Sequence, residues 1–237
     1  MTDKNQAVWI TGASSGIGKA LAIEFSKNGL YVLGTARRIE LLNTIKKELG
    51  EFGNNFEPHL LDVSDNEAVF QFYKNISVNL QIDCLINNAG ITSFKTAFDN
   101  SIEEIQKIIE VNLLGSIYAI KSVLPDMIMR KSGTIINILS AVTQKIFTSS
   151  SAYSASKVGL HAYTKVLREE VRDKNIRVIN ISPGATATSI WHSGTLEKYS
   201  ERMISTEKIA NLIYRLYEEN SNLVSEEVVI RPIKGDL

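Results

Sequence analysis

Ala7-Val8-Trp9-Ile10-Thr11-Gly12-Ala13-Ser14-Ser15-Gly16-Ile17-Gly18 is the stretch whose reading decides the fold. A short apolar run with strand character leads directly into glycines spaced G-x-x-x-G-x-G, and residues 19–27 then show helical spacing. Glycine is needed where φ must be positive, or where a Cβ would block the approach of a diphosphate. The helix start that follows offers free N–H groups and a positive dipole end to such an anion. The spacing differs from the G-x-G-x-x-G of the general dinucleotide fingerprint. A tight strand-to-helix turn without a ligand would use the same glycines.

Working outward, β-branched runs recur at residues 31–35, 57–61, 84–87, 134–138, 177–181 and 227–230. Between them lie amphipathic segments at 40–49, 66–76, 103–131, 152–173 and 206–219. Several of the strands are apolar at consecutive positions, as expected when helices cover both sheet faces. Strict alternation of strand and helix predicts an α/β fold with a doubly wound parallel sheet, a single domain over residues 1–237. Residues 188–203, rich in Ser with His and Trp, do not fit the alternation. Ligands of such sheets bind beyond the C-terminal strand ends, so this insertion reads as a substrate lid or as a loop with a short helix.

The second strand ends at Thr35-Ala36, and Arg37-Arg38 follow. An acid about 20 residues past the glycines binds the ribose 2′-OH of NAD, whereas arginine suits a 2′-phosphate. Ala36 stands where the acid would be, and a guanidinium grips a phosphate in a planar fork. The expected cofactor is therefore NADP(H), with Arg37 reading the phosphate. A solvated helix start is the competing account of these arginines, but cations at a helix N-terminus are unfavourable.

Bulk composition narrows the classes. With 26 basic against 26 acidic side chains, nothing in the net charge calls for nucleic acid or an anionic membrane as partner. The single cysteine, Cys84, excludes an internal disulfide and sits in an apolar run, so a buried, inert thiol is expected. The opening MTDKNQAVWI is polar and then strand-like, with no leader pattern and no evident run of about 20 apolar residues. A cytoplasmic protein is the expectation.

The second half carries Asn87-Asn88-Ala89-Gly90, Asn112, Ser140, Tyr153 with Lys157 four residues on, and Pro183-Gly184. Tyr153 and Lys157 share one helical face. Reducing a ketone requires a proton donor at the developing alkoxide. A phenol with a pKa of about 10 is a poor base at neutral pH, and a nearby ammonium favours its phenolate. Ser140, at a strand end, can donate to the same oxygen.

TGASSGIG, NNAG, the lone Asn, the Ser, YSASK and the PG pair occur in the order of the short-chain dehydrogenase/reductase family, which this chain resembles over nearly its whole length. The resemblance implies a Rossmann-type sheet of seven parallel strands in order 3-2-1-4-5-6-7 and an oxidoreductase acting on a carbonyl/alcohol pair. It implies Tyr153 as acid/base, Lys157 as the residue that lowers its pKa and holds the nicotinamide ribose, Ser140 as oxyanion partner, and Asn112 as anchor of a proton-relay water. Gly12, Ser14, Gly16, Ile17 and Gly18 resemble the diphosphate loop, and Asp62-Val63 the pair at adenine. Asn88, Ala89 and Gly90 match the stretch beside the adenosine ribose, and Pro183, Gly184 and Thr188 the segment that fixes the carboxamide. The family also implies pairing of the helices at 103–131 and 152–173 in a homotetramer, with a dimer second. No metal is implied.

Substrate identity is less legible. Ser93, Phe94, Ala141, Val142, Phe147, Ala185, Ile190 and Trp191 are expected to line a largely apolar pocket, and His192 either touches substrate or is a solvated loop histidine. Bacterial 3-oxoacyl-[acyl-carrier-protein] reductases share this core, and Arg130, Lys131 and Arg172 could dock an acidic carrier. Against that, those reductases have a Gly-rich segment and a D-G-G where this chain reads Val229-Ile230-Arg231-Pro232-Ile233-Lys234-Gly235-Asp236-Leu237. That segment is more similar to relatives acting on small hydroxy acids or on undefined carbonyls. Some family members are nucleotide-sensing regulators without turnover, but their Tyr-Lys-Ser-Asn set is eroded and here it is intact.

Overall fold

The computed structural model describes residues 5–219 and 222–236. The polar opening at residues 1–4 and Leu237 lie outside the described residues. The strands are β1 (Asn5–Thr11), β2 (Val32–Ala36), β3 (Phe56–Leu60), β4 (Leu80–Asn87), β5 (Gly133–Ile138), β6 (Ile176–Pro183) and β7 (Glu227–Ile230). They form one sheet, parallel throughout, in order β3-β2-β1-β4-β5-β6-β7, as the resemblance implies. The helices are α1 (Gly16–Lys27), α2 (Ile39–Glu48), α3 (Asn66–Ile76), α4 (Ile102–Ile109), α5 (Gly115–Arg130), α6 (Ser151–Val171), α7 (Ser193–Tyr199) and α8 (Thr206–Glu218).

Consecutive apolar residues in the strands divide between two cores. On one face Val8, Ile10, Ile86 and Ile138 pack with Leu21 and Phe25 of α1 and Ile213 of α8. On the other, Trp9, Leu85 and Ile135 pack with Ile120 and Val123 of α5 and Leu167 of α6. A strand buried on both sides has no polar face to show, which is why these runs do not alternate. Cys84 lies in the first core with its thiol pushed well up by burial, so it is inert as expected. Pro58 is tolerated because β3 is an edge strand.

Polar groups in the sheet are paired along a ladder. Asn87 Nδ2 donates to Asn137 Oδ1 at 2.9 Å, Asn137 Nδ2 to Asn180 Oδ1 at 3.1 Å, and Asn180 Nδ2 to Glu227 Oε1 at 3.0 Å. Each donor faces the next strand in register. The ladder spans the C-terminal half of the sheet and ties the strand ends that carry the site.

Two departures from the sequence reading matter for function. The helix expected at 103–131 is α4 and α5 joined by a π-helical turn, Glu110–Leu114, which contains Asn112. Such a turn inserts one residue into the helical ladder and frequently marks functional sites. The run Ile102–Arg130 is also long and apolar enough to cross a membrane by length and composition, contrary to the expectation of no such span, but half of that window is buried within the protein. The irregular segment at 188–203 holds α7 and the short turn Ser200–Arg202.

Candidate active site

The strand order reverses between β1 and β4, so their C-terminal ends open a crevice where ligands of this sheet type bind. Gly12 and Gly16 have φ of 66° and 55°, which an L side chain rarely adopts. A Cβ on Gly12 would also come within 2.7 Å of the Ala89 Cα, and one on Gly18 within 2.3 Å of the Gly12 carbonyl oxygen. The loop is clipped to β4 from both sides. Thr11 Oγ1 accepts from the backbone N–H groups of Asn88 and Ala89 at 3.0 and 3.1 Å, while Asn88 Nδ2 donates to the carbonyls of Thr11 and Gly12. No side chain caps the start of α1, leaving its first N–H groups available to an anion.

At one end of the crevice, Arg38 Nη2 donates to Ser14 Oγ at 3.1 Å and Ser15 Oγ at 3.0 Å. Arg37, expected to read the phosphate alone, stands 3.9 Å from Asp62 Oδ2. Burial pushes the Asp62 carboxyl up, but the Ser64 hydrogen bonds and the Lys107 and Arg37 charges outweigh it and hold the group below its ordinary value. Both arginines, both serines, Asp62 and Val63 border the same cleft. The sequence named Arg37 and undervalued its neighbour.

At the other end, Ser140 follows β5, accepts from the Val142 N–H at 3.3 Å and borders the cleft beside Tyr153, whose phenol it helps hold down. Tyr153 and Lys157 lie one turn apart on α6. Lys157 is buried, donates to the Ile138 carbonyl at 2.8 Å, and has its Nζ 6.0 Å from the Tyr153 ring centre. Burial lowers the lysine to about 8. Burial also raises the Tyr153 phenol above its ordinary value, and the Ser140 bond only partly opposes that. Burial and Ser140 thus set the direction of the phenol here, while the Lys157 ammonium is committed to the Ile138 carbonyl.

Asn112 is fully buried, and its side chain makes three hydrogen bonds. It accepts from the Ile91 N–H at 2.8 Å and donates to the Ile91 carbonyl and to Ser156 Oγ, both at 2.9 Å. Asn112 Oδ1 and Lys157 Nζ lie near one another, since a Cβ on Gly90 would be 3.5 Å from each. The side chain therefore fixes the segment after Gly90, while its backbone carbonyl receives Ser116 Oγ at 3.1 Å.

The whole cleft encloses about 850 Å³. Of the residues expected along the substrate side, Phe94, Ala141, Val142, Phe147, Ala185, Ile190 and Trp191 line it, together with Pro183, Gly184 and Thr188. Ser93 does not, because its hydroxyl turns away to donate to Asn100 Oδ1 at 2.7 Å. His192 is likewise outside the lining and packs on Phe94 at 5.8 Å. Trp191 stacks on Phe94 with ring centres 5.2 Å apart and bonds the Thr186 carbonyl at 3.0 Å, so the 188–203 segment meets the opposite wall through an aromatic pair. Thr186 and Asp236 also border the cleft and escaped the sequence reading. The glycine cradle, the open helix start and the paired arginines fit a dinucleotide phosphate; no metal-holding cluster occurs among the described residues.

Residues 6–198 match the family model described as short chain dehydrogenase. A 3-oxoacyl-[acyl-carrier-protein] reductase, FabG, of Buchnera aphidicola subsp. Schizaphis graminum is 32% identical over 238 residues, covering 97% of this chain and 96% of the relative. Among solved structures, a metagenomic short-chain oxidoreductase in complex with NADP superposes with a TM-score of 0.84 at 30% identity, covering 96% of each chain. The closed form of a serine dehydrogenase complexed with NADP+ gives 0.90 at 26% identity, covering 98% of this chain and 96% of that one. The chain belongs to the short-chain dehydrogenase family.

Proposed function

We propose that this protein is an NADP(H)-dependent oxidoreductase interconverting a carbonyl and an alcohol, with Tyr153 as acid/base. The observation that carries the reading is one continuous cleft with the glycine loop and Arg37-Arg38 at one end and Ser140, Tyr153 and Lys157 at the other. The NADP complexes of two similar structures support the cofactor. When bound, the nicotinamide supplies hydride to the carbonyl carbon. The Tyr153 phenol, kept protonated at neutral pH by burial, donates its proton to the oxygen that gains charge, and Ser140 donates a second hydrogen bond there. Lys157 offers a charged donor for a ribose hydroxyl, and Asn112 holds the backbone after Gly90 beside it. The aromatic pair Phe94–Trp191 gives the substrate side of the cleft an apolar wall. A screen of NADPH oxidation against aldehydes, ketones, β-keto esters and 3-oxoacyl thioesters tests this, and turnover of none of them would oppose it.

Docking of an acyl carrier finds little support at the residues considered for it. The Arg130 guanidinium is half-buried and bonds the Ile82 carbonyl, and Arg172 is paired with Glu169 at 2.5 Å and Glu226 at 2.9 Å. Lys131 lies close enough to Asp173 for its charge to help hold that carboxyl low.

Cofactor choice is expected to reside in both arginines. A charge-assisted hydrogen bond of about 1.5–3 kcal/mol corresponds to a roughly 10- to 150-fold preference. Arg37→Ala and Arg38→Ala are each expected to weaken NADPH binding within about that range while NADH binding changes little, as read by fluorescence titration. Equal losses for the two cofactors would remove the arginines from phosphate recognition.

A homotetramer is the proposed assembly, with a dimer second. Ile102 and Met129 at the two ends of the α4–α5 run, and Val158 and Val166 on α6, are large apolar side chains left exposed. Such patches mark interfaces when they are contiguous. Light scattering at micromolar concentration is expected to give the tetramer mass, and a monomer would contradict the proposal.

A further inference from the structure

The chain after β7 folds back into the cleft. A turn closed by Gly235 N–H to the Pro232 carbonyl at 2.9 Å, with Gly235 at a φ of 81°, returns Asp236 to the cleft wall. Its carboxylate meets Arg231, whose Nη1 bonds both oxygens, and Lys145 Nζ at 3.1 Å. Arg202 Nη2, just after α7, donates to the Asp236 carbonyl at 3.3 Å. Three cations from the β5–α6 loop, the 188–203 segment and the chain after β7 thus converge on a single acid.

Of this cluster Asp236 borders the cleft, and Arg231 and Lys145 stand directly behind it. A Cβ on Gly184 would lie 3.4 Å from Arg231 Cδ, so the arginine stem rests against the Pro183-Gly184 floor. Lys145 Nζ stands 5.4 Å over the ring of Phe147, which lines the cleft. The Asp236 side chain is 13% exposed, whereas Lys145 is 56% exposed, which sets the cluster at the boundary between cleft and solvent. Among the described residues, two side-chain cations face this one carboxylate beside an otherwise largely apolar pocket. A planar guanidinium with a neighbouring ammonium matches a second carboxylate in shape and charge.

We propose that Arg231 and Lys145 form a carboxylate subsite of the active cleft, held by Asp236 until a substrate carrying its own carboxylate, a small oxo or hydroxy acid, takes the place of that side chain. Asp236 then acts as an internal competitor, and Arg202 keeps its segment against the cleft. The inference rests on the oxidoreductase reading and specifies its substrate class.

The test compares acetoacetate with its methyl ester as substrates for NADPH, taking the ratio of the two kcat/KM values. The wild-type ratio is expected to favour the acid. Arg231→Gln is expected to lower the ratio by about 10- to 150-fold, the range of one charge-assisted hydrogen bond. Asp236→Asn is expected to raise it by about 10-fold, because the competing charge is gone. Lys145→Gln, altering a mostly exposed side chain, is expected to lower the ratio several-fold and carries the test if Arg231→Gln does not fold.

A ratio unmoved by these changes would reduce Asp236 to a structural clamp and overturn the subsite. Reduction of the ester without preference for the acid would overturn it too, while leaving the oxidoreductase reading intact. If neither compound is reduced, that reading fails on this pair, and binding still judges the subsite. Trp9 is buried in the core, so fluorescence changes on titrating butyrate and butyramide report Trp191 in the cleft. Butyrate is expected to bind more tightly than butyramide in wild type and to lose that advantage in Arg231→Gln. Equal binding of the two compounds to wild type would overturn the subsite independently of turnover.

Discussion

Tyr153→Phe is expected to lower turnover by at least about 10²–10⁴-fold while melting temperature and NADPH binding stay near wild type. The substitution removes one hydroxyl and keeps the ring volume, so the packing of α6 beside Ser140 survives. In the proposed reaction the phenol donates the proton and also hydrogen-bonds the oxygen that gains charge; loss of such a donor costs about a further 10²–10³-fold. The raised pKa of the phenol has a directional consequence. Reduction needs the protonated phenol and is expected to run well at neutral pH, whereas oxidation needs phenolate and is expected to accelerate as pH rises. Initial rates in both directions check this. A variant that keeps most of its activity would move the acid role elsewhere. His192, the histidine of the 188–203 segment, lies outside the cleft lining and is poorly placed to take it.

Lys157→Met is expected to reduce turnover and cofactor affinity together, by about 10²-fold or more in kcat/KM, because one ammonium serves both the ribose contact and the charge balance of the site. Its effect on stability has a distinctive pH dependence. Burial lowers the lysine from 10.5 to about 8, so between those values the unfolded chain holds a proton that the folded chain has lost. Folding stability therefore rises with pH across that window, while below about 8 the buried ammonium is a constant cost. The shift corresponds to a change of at most about 3 kcal/mol. Urea unfolding of wild type and variant is expected to show wild type gaining on Lys157→Met between pH 8 and 10.5. A difference that stays flat with pH would mean that Lys157 is not desolvated.

The parts of this site that were legible in the sequence are those whose constraints are local. Gly12 and Gly16 are dictated by their positive φ and Gly18 by its approach to the Gly12 carbonyl, all within one turn, and the spacing of Tyr153 and Lys157 by the pitch of one helix. The alternation of strand and helix made a parallel sheet legible, whereas the order of its strands came with the family resemblance. What required coordinates was long-range or desolvation-driven. Arg37 and Arg38 are indistinguishable as neighbours in sequence, and only the direction of the chain after β2 sends Arg38 onto Ser14 and Ser15. The π-helical turn at Asn112 follows from the bracket that residue makes with Ile91, which no periodicity announces. The pKa balance of Tyr153 depends on how dry the cleft is. Asp236 meets Lys145 across 91 positions of chain, so a local pattern could not find it.

The most direct test of the proposed reaction is isotopic. NADPH carrying deuterium at the transferred position is incubated with the carbonyl panel, and the alcohol products are analysed by mass spectrometry with wild type and Tyr153→Phe in parallel. The account predicts one deuterium on the carbinol carbon of at least one product with wild type, and a rate lower by orders of magnitude with the variant. Deuterium transfer that proceeds as fast in Tyr153→Phe, or tight NADPH binding with no transfer to any carbonyl offered, would contradict it.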